Sequence, residues 1–347
     1  MNFRAIACGV RLIARDYRSR STRETSVGSW GMSIRLGYQM PYFGYAASPR
    51  ELFPQVIAQA QEAEAAGFDA VLLMDHFYQV YGQPEDWMLE AYTALAGLAT
   101  VTERIQLATL MTCNTYRNPA LLAKIVTTLD VISGGRAALG IGAGWFEQEH
   151  IGYGFEYGSF TERFQRLDEA LQIISPMLRG QRPTFQGKWY RAENAINEPQ
   201  VRADLPILLG GGGEKRTFGL AARYADHLNI LCHTTDLPHK LTTLRQRCEE
   251  AGRDPQTLET SVRAVVVVDE DGDRARRLAR EFVQRDLVVV ISPDSVFAGA
   301  PDDVAEQVQR RILDHGVDGI IVNMVANGHE PGILELAGKA LRPLVHR

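Results

Sequence analysis

The sequence predicts a (β/α)8 TIM barrel with an inserted hairpin after its fourth unit. Three observations carry that expectation. From Ser33 onward, short β-rich runs alternate with helical stretches, the pattern of a parallel sheet covered by helices. Eight such units follow one another, which points to a closed barrel more than to an open doubly wound sheet. The first strand, with Leu36-Gly37-Tyr38, lacks the G-x-G-x-x-G turn that two packed dinucleotide-binding halves would need.

The first strand runs from Ile34 to Gln39 and leads to Ser48-Pro49-Arg50-Glu51, a capping box with proline at the first helical position. Its helix carries Phe53, Val56, Ile57, Ala60 and Ala63 on one face and stops at Gly67. Asp69 to Met74 reads as the second strand, with a helix over Met88 to Val101. Ile105 to Leu110 reads as the third, followed by a helix over Pro119 to Val131. Arg136 to Ile141 is the fourth strand. Ser159-Phe160-Thr161-Glu162 is a second capping box, opening a helix with Phe164, Leu167, Leu171, Ile174 and Leu178 at three- and four-residue spacing.

Residues 180–200 break the rhythm. Phe185, Trp189 and Tyr190 around Gln186-Gly187 predict an inserted hairpin. Four further strands are expected at Pro206–Leu209, Asp226–Leu231, Ser261–Val268 and Gly319–Met324. Helices are expected at Glu214–Tyr224, Pro238–Ala251, Asp273–Asp286 and Pro301–His315, with a last helix after the Gly319–Met324 strand running to about Leu341. The stretch from Leu287 to Pro301 has no clear assignment.

Composition limits the partners. The 347 residues carry 37 Lys+Arg against 42 Asp+Glu, a net charge of −5, which disfavours nucleic-acid binding through bulk charge. Cys8, Cys113, Cys232 and Cys248 lie far apart without a C-x-x-C pair, so a disulfide scaffold or zinc ribbon is disfavoured and a reducing cytoplasm fits best. No apolar run has the length of a membrane span. Residues 1–32 stand apart: six arginines (Arg4, Arg11, Arg15, Arg18, Arg20, Arg23) face only Asp16 and Glu24. They are expected to be a disordered extension outside the single domain 33–347, with the look of a transit peptide or a misassigned start.

In a barrel of this kind the chemistry belongs at the C-terminal strand ends. After strand two comes Asp75-His76; the imidazole suits general acid–base work, and the Asp suits ligand binding or orienting the ring. Strand three ends in Thr109-Leu110-Met111-Thr112-Cys113, whose small hydroxyls and apolar groups suit a planar heteroaromatic ring. Cys113 reads as packing, with nothing marking an activated thiolate. Strand four ends in Gly140-Ile141-Gly142-Ala143-Gly144-Trp145, glycines that permit close backbone approach. The following Glu147, Glu149 and His150 lack metal-ligand spacing and read as a solvated loop. Strand five ends in four glycines, Gly210 to Gly213, before Glu214-Lys215-Arg216. Consecutive backbone N–H groups beside a helix start form an anion site, and phosphate is its natural occupant.

Together, Met74-Asp75-His76, Arg117-Asn118-Pro119, Leu129-Asp130 before Ser133-Gly134-Gly135-Arg136, Leu139 to Trp145, Glu162-Arg163-Phe164 and the tetraglycine loop resemble the luciferase-like monooxygenase superfamily. The closest likeness is to its branch using the deazaflavin coenzyme F420, and it spans Ile34 to Arg342. That resemblance implies a non-prolyl cis peptide at Thr109–Leu110, forming a bulge behind the deazaflavin ring. It implies cofactor contacts from Asp75, Thr112, Ala143, Gly144 and Gln148, a phosphate cradle at Gly211, Gly212 and Gly213, and a catalytic His76. Trp145 stands where the sugar-phosphate dehydrogenases of the family carry a catalytic Glu, and with Tyr42 and Tyr153 it is expected to wall an apolar substrate pocket. The implied activity is hydride transfer between the deazaflavin and a small carbonyl, imine or activated alkene, in a homodimer without metal. Two alternatives stay open: an FMN-dependent two-component monooxygenase on the same barrel, and a non-catalytic cofactor-binding barrel.

Overall fold

In a computed structural model, residues 33–285, 288 and 295–346 are described. The Arg-rich extension and, within the unassigned stretch, residues 287 and 289–294 lie outside them. The described residues belong to one compact unit.

Parallel strands form the ring. β1 (Leu36–Met40), β2 (Ala70–Leu73), β3 (Gln106–Thr109), β4 (Thr112–Cys113) and β5 (Leu139–Gly142) come from the first half of the chain. The hairpin β6 (Phe185–Gln186) and β7 (Arg191–Ala192) separates them from β8 (Ile207–Gly210), β9 (His227–Ile230), β10 (Glu259–Val268), β11 (Val296–Gly299) and β12 (Gly319–Asn323). The order is β3-β2-β1-β12-β10-β9-β8-β5-β4. β3 and β4 are two pieces of one stave: β4 pairs with β5, and a bridge from Leu107 to Ala137 joins β3 to the same neighbour. Eight staves therefore close the barrel, as the alternation predicts. β11 lies off the ring and pairs with the overhanging end of β10 at Val265–Val268, which places the end of the unassigned stretch.

Strand alternation sorts the side chains. Leu36, Tyr38 and Met40 point outward to the helices, in a core shared with Val71, Leu73, Leu139, Ile141, Val262 and Val266. Ile34, Ala70, Leu72, Ala108, Leu110, Ala138, Leu208 and Ile321 fill the barrel interior. A third cluster of Met74, Val80, Tyr81, Phe146, Val265, Phe282 and Val325 sits over the C-terminal strand ends.

The helices are α1 (Pro49–Ala65), α2 (Ala91–Ala99), α3 (Pro119–Ser133), α4 (Glu147–Tyr153), α5 (Phe160–Leu178), α6 (Thr217–Tyr224), α7 (Leu237–Glu250), α8 (Gly272–Val283), α9 (Pro301–Arg311) and α10 (Ile333–Val345). The capping box expected at Ser159 is formed in both directions. The one expected at Ser48 is not: Ser48 is the N-cap, but its hydroxyl makes no cap bond. β5 begins three residues after the expected Arg136, because the Arg136 guanidinium is spent on the carbonyls of Ala99, Thr102 and Ile105 and anchors a loop. The inserted hairpin is held to α5 by Glu169, whose carboxylate accepts the N–H groups of Lys188, Trp189 and Tyr190. Among the described residues no helix is long and apolar enough to cross a membrane.

Candidate active site

His76 follows β2 directly. Its Nδ1 lies 2.8 Å from Glu149 Oε2, and Glu149 is fully buried. The same carboxylate accepts the N–H groups of Phe77 (2.5 Å) and Tyr78 (2.8 Å) and the phenol of Tyr116 (2.6 Å). Burial pushes the Glu149 carboxyl up, but the His76 contact, the phenol and the backbone N–H groups outweigh it and hold the group below its ordinary value. An ionised carboxylate only accepts, so Nδ1 carries the proton, and in the neutral ring Nε2 is left as acceptor.

Glu149 is thus the residue at the candidate site that the sequence alone passes over. Glu147–Tyr153 is a short helix in place of the expected solvated loop, and both Glu149 and His150 are fully buried on its inner side. Gln148, expected at the cofactor, is exposed on the same helix. His150 completes a neighbouring network: Nε2 lies 2.6 Å from Thr115 Oγ1, and Nδ1 lies 2.7 Å from the Phe146 carbonyl. Cys113 is buried there and its thiol is pushed up to about 12, first by burial. Its sulfur lies 3.1 Å from Thr115 Oγ1 and 3.8 Å from His150 Nε2. Among the described residues no cluster has the makings of a metal site.

Asp75 is 1% exposed, with both oxygens taken. Arg117 Nη1 and Nη2 donate to it at 2.7 and 2.9 Å, and the Cys113 N–H donates to Oδ2 at 3.0 Å. Arg117 Nη2 also donates to Glu90 Oε1 at 2.7 Å, and Glu90 Oε2 caps α2 at Thr93. The Asp75 side chain therefore ties β2 to β4, with Oδ1 accepting one of these bonds and Oδ2 two.

Thr109 and Thr112 are buried, their hydroxyls 2.7 Å apart, with Tyr92 at 2.6 Å from Thr112 and the Gly140 carbonyl at 2.8 Å from Thr109. The non-prolyl cis peptide is present, but one residue beyond its expected place, at Leu110–Met111. The Leu110 carbonyl accepts from Gln39. Met111 lies over glycines: a Cβ on Gly210 would meet its Cε at 2.6 Å. Gly144 has φ +83°, and a Cβ there would meet Cys113 Sγ at 2.6 Å. Glycine is thus required where the strand ends are most crowded.

The tetraglycine loop lies at the end of β8. A Cβ on Gly212 would sit 2.1 Å from the Leu231 carbonyl oxygen, and Gly211 has φ +141°. The Gly211 N–H donates to the Asn229 carbonyl, whereas the N–H groups of Gly212 and Gly213 have no acceptor among the described residues. α6 begins at Thr217, three residues after the expected Glu214, so a turn separates cradle from helix. Arg216 reaches away to Thr161 and lies over Phe160 and Phe164. Lys240, on α7, instead donates to the Gly212 carbonyl and to Glu214; nothing local in sequence marks it.

Trp145 is 48% exposed, stacked on Phe146 at 5.0 Å and edge-on to His76 at 5.4 Å. Tyr153, also half exposed, lies 4.4 Å from the Phe77 ring. Tyr42 donates to Asp86 at 3.2 Å and joins the cluster over the strand ends. Of the three residues expected to wall a substrate pocket, Trp145 packs against His76, while Tyr153 packs on Phe77 and Tyr42 is tied to Asp86. A cleft of about 450 Å³, lined by Leu52, Phe77, Tyr78, Trp87 and Met88, adjoins these rings without including His76.

A closed barrel with a histidine–carboxylate pair and a glycine cradle at one mouth is the architecture of a cofactor-using enzyme. The chain belongs to the luciferase-like monooxygenase family, which matches residues 34–318, and it is an enzyme of the oxidoreductase class. The F420-dependent glucose-6-phosphate dehydrogenase of Kineococcus radiotolerans is 32% identical over 297 residues, 82% of this chain and 85% of that one. Pyrimidine monooxygenase RutA of Stutzerimonas stutzeri is 32% identical over 227 residues, 63% of this chain and 62% of its own length. An F420-dependent secondary alcohol dehydrogenase, solved with an F420-acetone adduct, shares the fold with a TM-score of 0.75. It is 21% identical, with 91% of this chain and 100% of that one covered.

Proposed function

We propose that the chain is an F420-dependent oxidoreductase that moves hydride between the deazaflavin C5 and the carbonyl, imine or activated alkene of a small organic substrate. The observation that carries this reading is His76, placed at a strand end and held by Glu149 at 2.8 Å. The mouth fits such a cofactor: Gly212 and Gly213 offer free N–H groups to a phosphate, and glycines around Met111 keep side chains away from a planar ring. When bound, the deazaflavin supplies a carbon hydride donor or acceptor, and carbon in place of the flavin N5 disfavours reaction with oxygen.

The chain's own groups do the rest. His76 Nε2 takes the proton of an alcohol or returns one to a carbonyl oxygen. Glu149 keeps the proton on Nδ1 and supports the imidazolium. Trp145 and Phe146 cover the imidazole on its apolar side. With Trp145 at the position of the dehydrogenases' catalytic Glu, glucose 6-phosphate is not a substrate on this reading.

The F420-dependent relatives support this choice. The RutA relatives favour a second reading, an FMN-dependent monooxygenase. Fluorescence titration with F420 and FMN separates them: F420 is expected to bind more tightly, and preference for reduced FMN with oxygen uptake would reverse the assignment. His76→Ala is expected to keep its F420 affinity and lose about 10²–10⁴-fold in turnover; wild-type turnover would remove His76 from the chemistry.

A further inference from the structure

β10 carries a cation on the inner wall of the barrel. Its residues alternate: Val262, Ala264 and Val266 point to the helices, while Ser261, Arg263 and Val265 point inward. Ser261 bonds inward to His227 and Asn229, and Val265 joins the cluster over the strand ends. Arg263 is partly buried, and among the described residues no carboxylate pairs with it. Its one bond runs from Nη1 to the hydroxyl of Tyr81, at 2.5 Å. Tyr81 is 1% exposed and comes from the same loop that begins with His76.

That contact fixes the guanidinium and uses one corner of it. Nε and Nη2, the side-on edge with two parallel N–H groups, have no acceptor among the described residues. This edge matches the two oxygens of a carboxylate. Tyr81 and Val265 belong to the apolar cluster with Phe282, Met74 and Phe146, and beside such a cluster an unpaired cation is costly and a bound anion is favoured. One rung up on the neighbouring strand, Asn323 is fully buried and its Oδ1 has no partner. That oxygen remains available to a donor on the same ligand.

We infer that Arg263, set by Tyr81, is the anchor for a carboxylate on the substrate, so that the enzyme acts on small organic acids bearing the reducible or oxidisable group elsewhere in the molecule. This deepens the proposed function and rests on it for the chemistry, but the binding event is separable from it. The site lies on β10 and the loop after β2, away from the glycine cradle at the end of β8. Its guanidinium edge is distinct from the cradle's backbone N–H groups, which suit phosphate.

The test is equilibrium binding to the whole chain without turnover. Benzoate, phenylpyruvate and succinate, with benzamide and inorganic phosphate beside them, are titrated by calorimetry into wild type, Arg263→Met, Arg263→Gln and Tyr81→Phe. At least one carboxylate is expected to bind the wild type with a Kd below about 10 mM. The same ligand should bind about tenfold or more weakly to both Arg263 variants and less severely so to Tyr81→Phe; benzamide should not bind. Arg263→Gln is the variant of record if Arg263→Met fails to fold. F420 affinity, measured in parallel, is expected to be the same in wild type and variants. Carboxylate binding that survives both Arg263 substitutions, phosphate displacing every carboxylate, or no carboxylate binding to the wild type would each overturn the inference. Failure of F420 to bind any of the four proteins would overturn the proposed function while leaving the carboxylate result to stand or fall by itself.

Discussion

Glu149 accepts four hydrogen bonds with no exposure to solvent, and its charge is what lets it hold two N–H groups, a phenol and an imidazole at once. Glu149→Gln keeps the shape and reverses half of the polarity. Its amide NH2 would meet both the Tyr116 hydroxyl and the His76 Nδ1–H, forcing the imidazole into the other tautomer. The expected outcome is a loss of about 1–3 kcal/mol in stability and about 10²-fold or more in turnover, with F420 affinity retained. Histidine ¹⁵N shifts would report the proton moving from Nδ1 to Nε2; an unchanged tautomer would contradict the assigned role. His76 and Asp75 were legible because they end a strand. Glu149 was not, because seven residues of helix give too little periodicity to separate a buried face from a wet one. Asp75 was legible as important, but its partner Arg117 lies 42 residues away, and only the closed barrel brings them together.

The elements repeat this contrast. Two sequences with the same capping-box spelling end differently: Ser159, at φ −71°, turns its hydroxyl to the N–H of Glu162, whereas Ser48, at φ −153°, does not. The spelling reports a helix start, and the approach of the preceding chain decides the bond. The hairpin was legible from Gln186-Gly187 between aromatic residues, but not its strap to Glu169, which depends on α5 lying beneath it. For the cradle, Gly212→Ala forces a Cβ into the Leu231 carbonyl. It is expected to cost about 1–3 kcal/mol and to weaken F420 binding by about tenfold or more, a difference of some 1.4 kcal/mol. Gly219→Ala is the companion variant: it lies in α6 with nothing near its missing Cβ, and should gain about 0.5–1 kcal/mol with F420 affinity unchanged. Equal effects of the two substitutions on F420 affinity would refute the cradle.

For the whole molecule, burial and pairing set how stability responds to acid. Glu64, Glu90 and Glu149 are all held below their ordinary values, each by hydrogen bonds that outweigh desolvation; Asp130 is raised, chiefly by burial. A depressed carboxyl contributes stability that is complete above its unfolded value, here 4.5 for Glu, and is lost as pH falls through the lower folded value. The raised Asp130 acts in the opposite sense. With three groups against one, stability should hold down to about pH 5 and decline steeply below it. Urea midpoints between neutral and acid pH would show this, and a midpoint that rises on acidification would contradict it. The net charge of −5 likewise describes the molecule as a whole and not the proposed ligand groups, the N–H groups of Gly212 and Gly213 and the Arg263 guanidinium.

Arg117 holds Asp75 with one hand and Glu90 with the other, and those two residues bracket the stretch that starts with His76. A single guanidinium thus fastens both ends of a fourteen-residue span, 76–89, like a buckle. Between the ends, Phe77 and Tyr78 are bonded to Glu149 and Gln79 to Tyr81 are buried, whereas the more exposed part of the loop beyond them carries fewer such ties. The outer part is a cassette: exchanging residues 82–88 for the corresponding stretch of a relative should alter which substrates are accepted while the histidine, its carboxylate and the Tyr81–Arg263 contact stay in place.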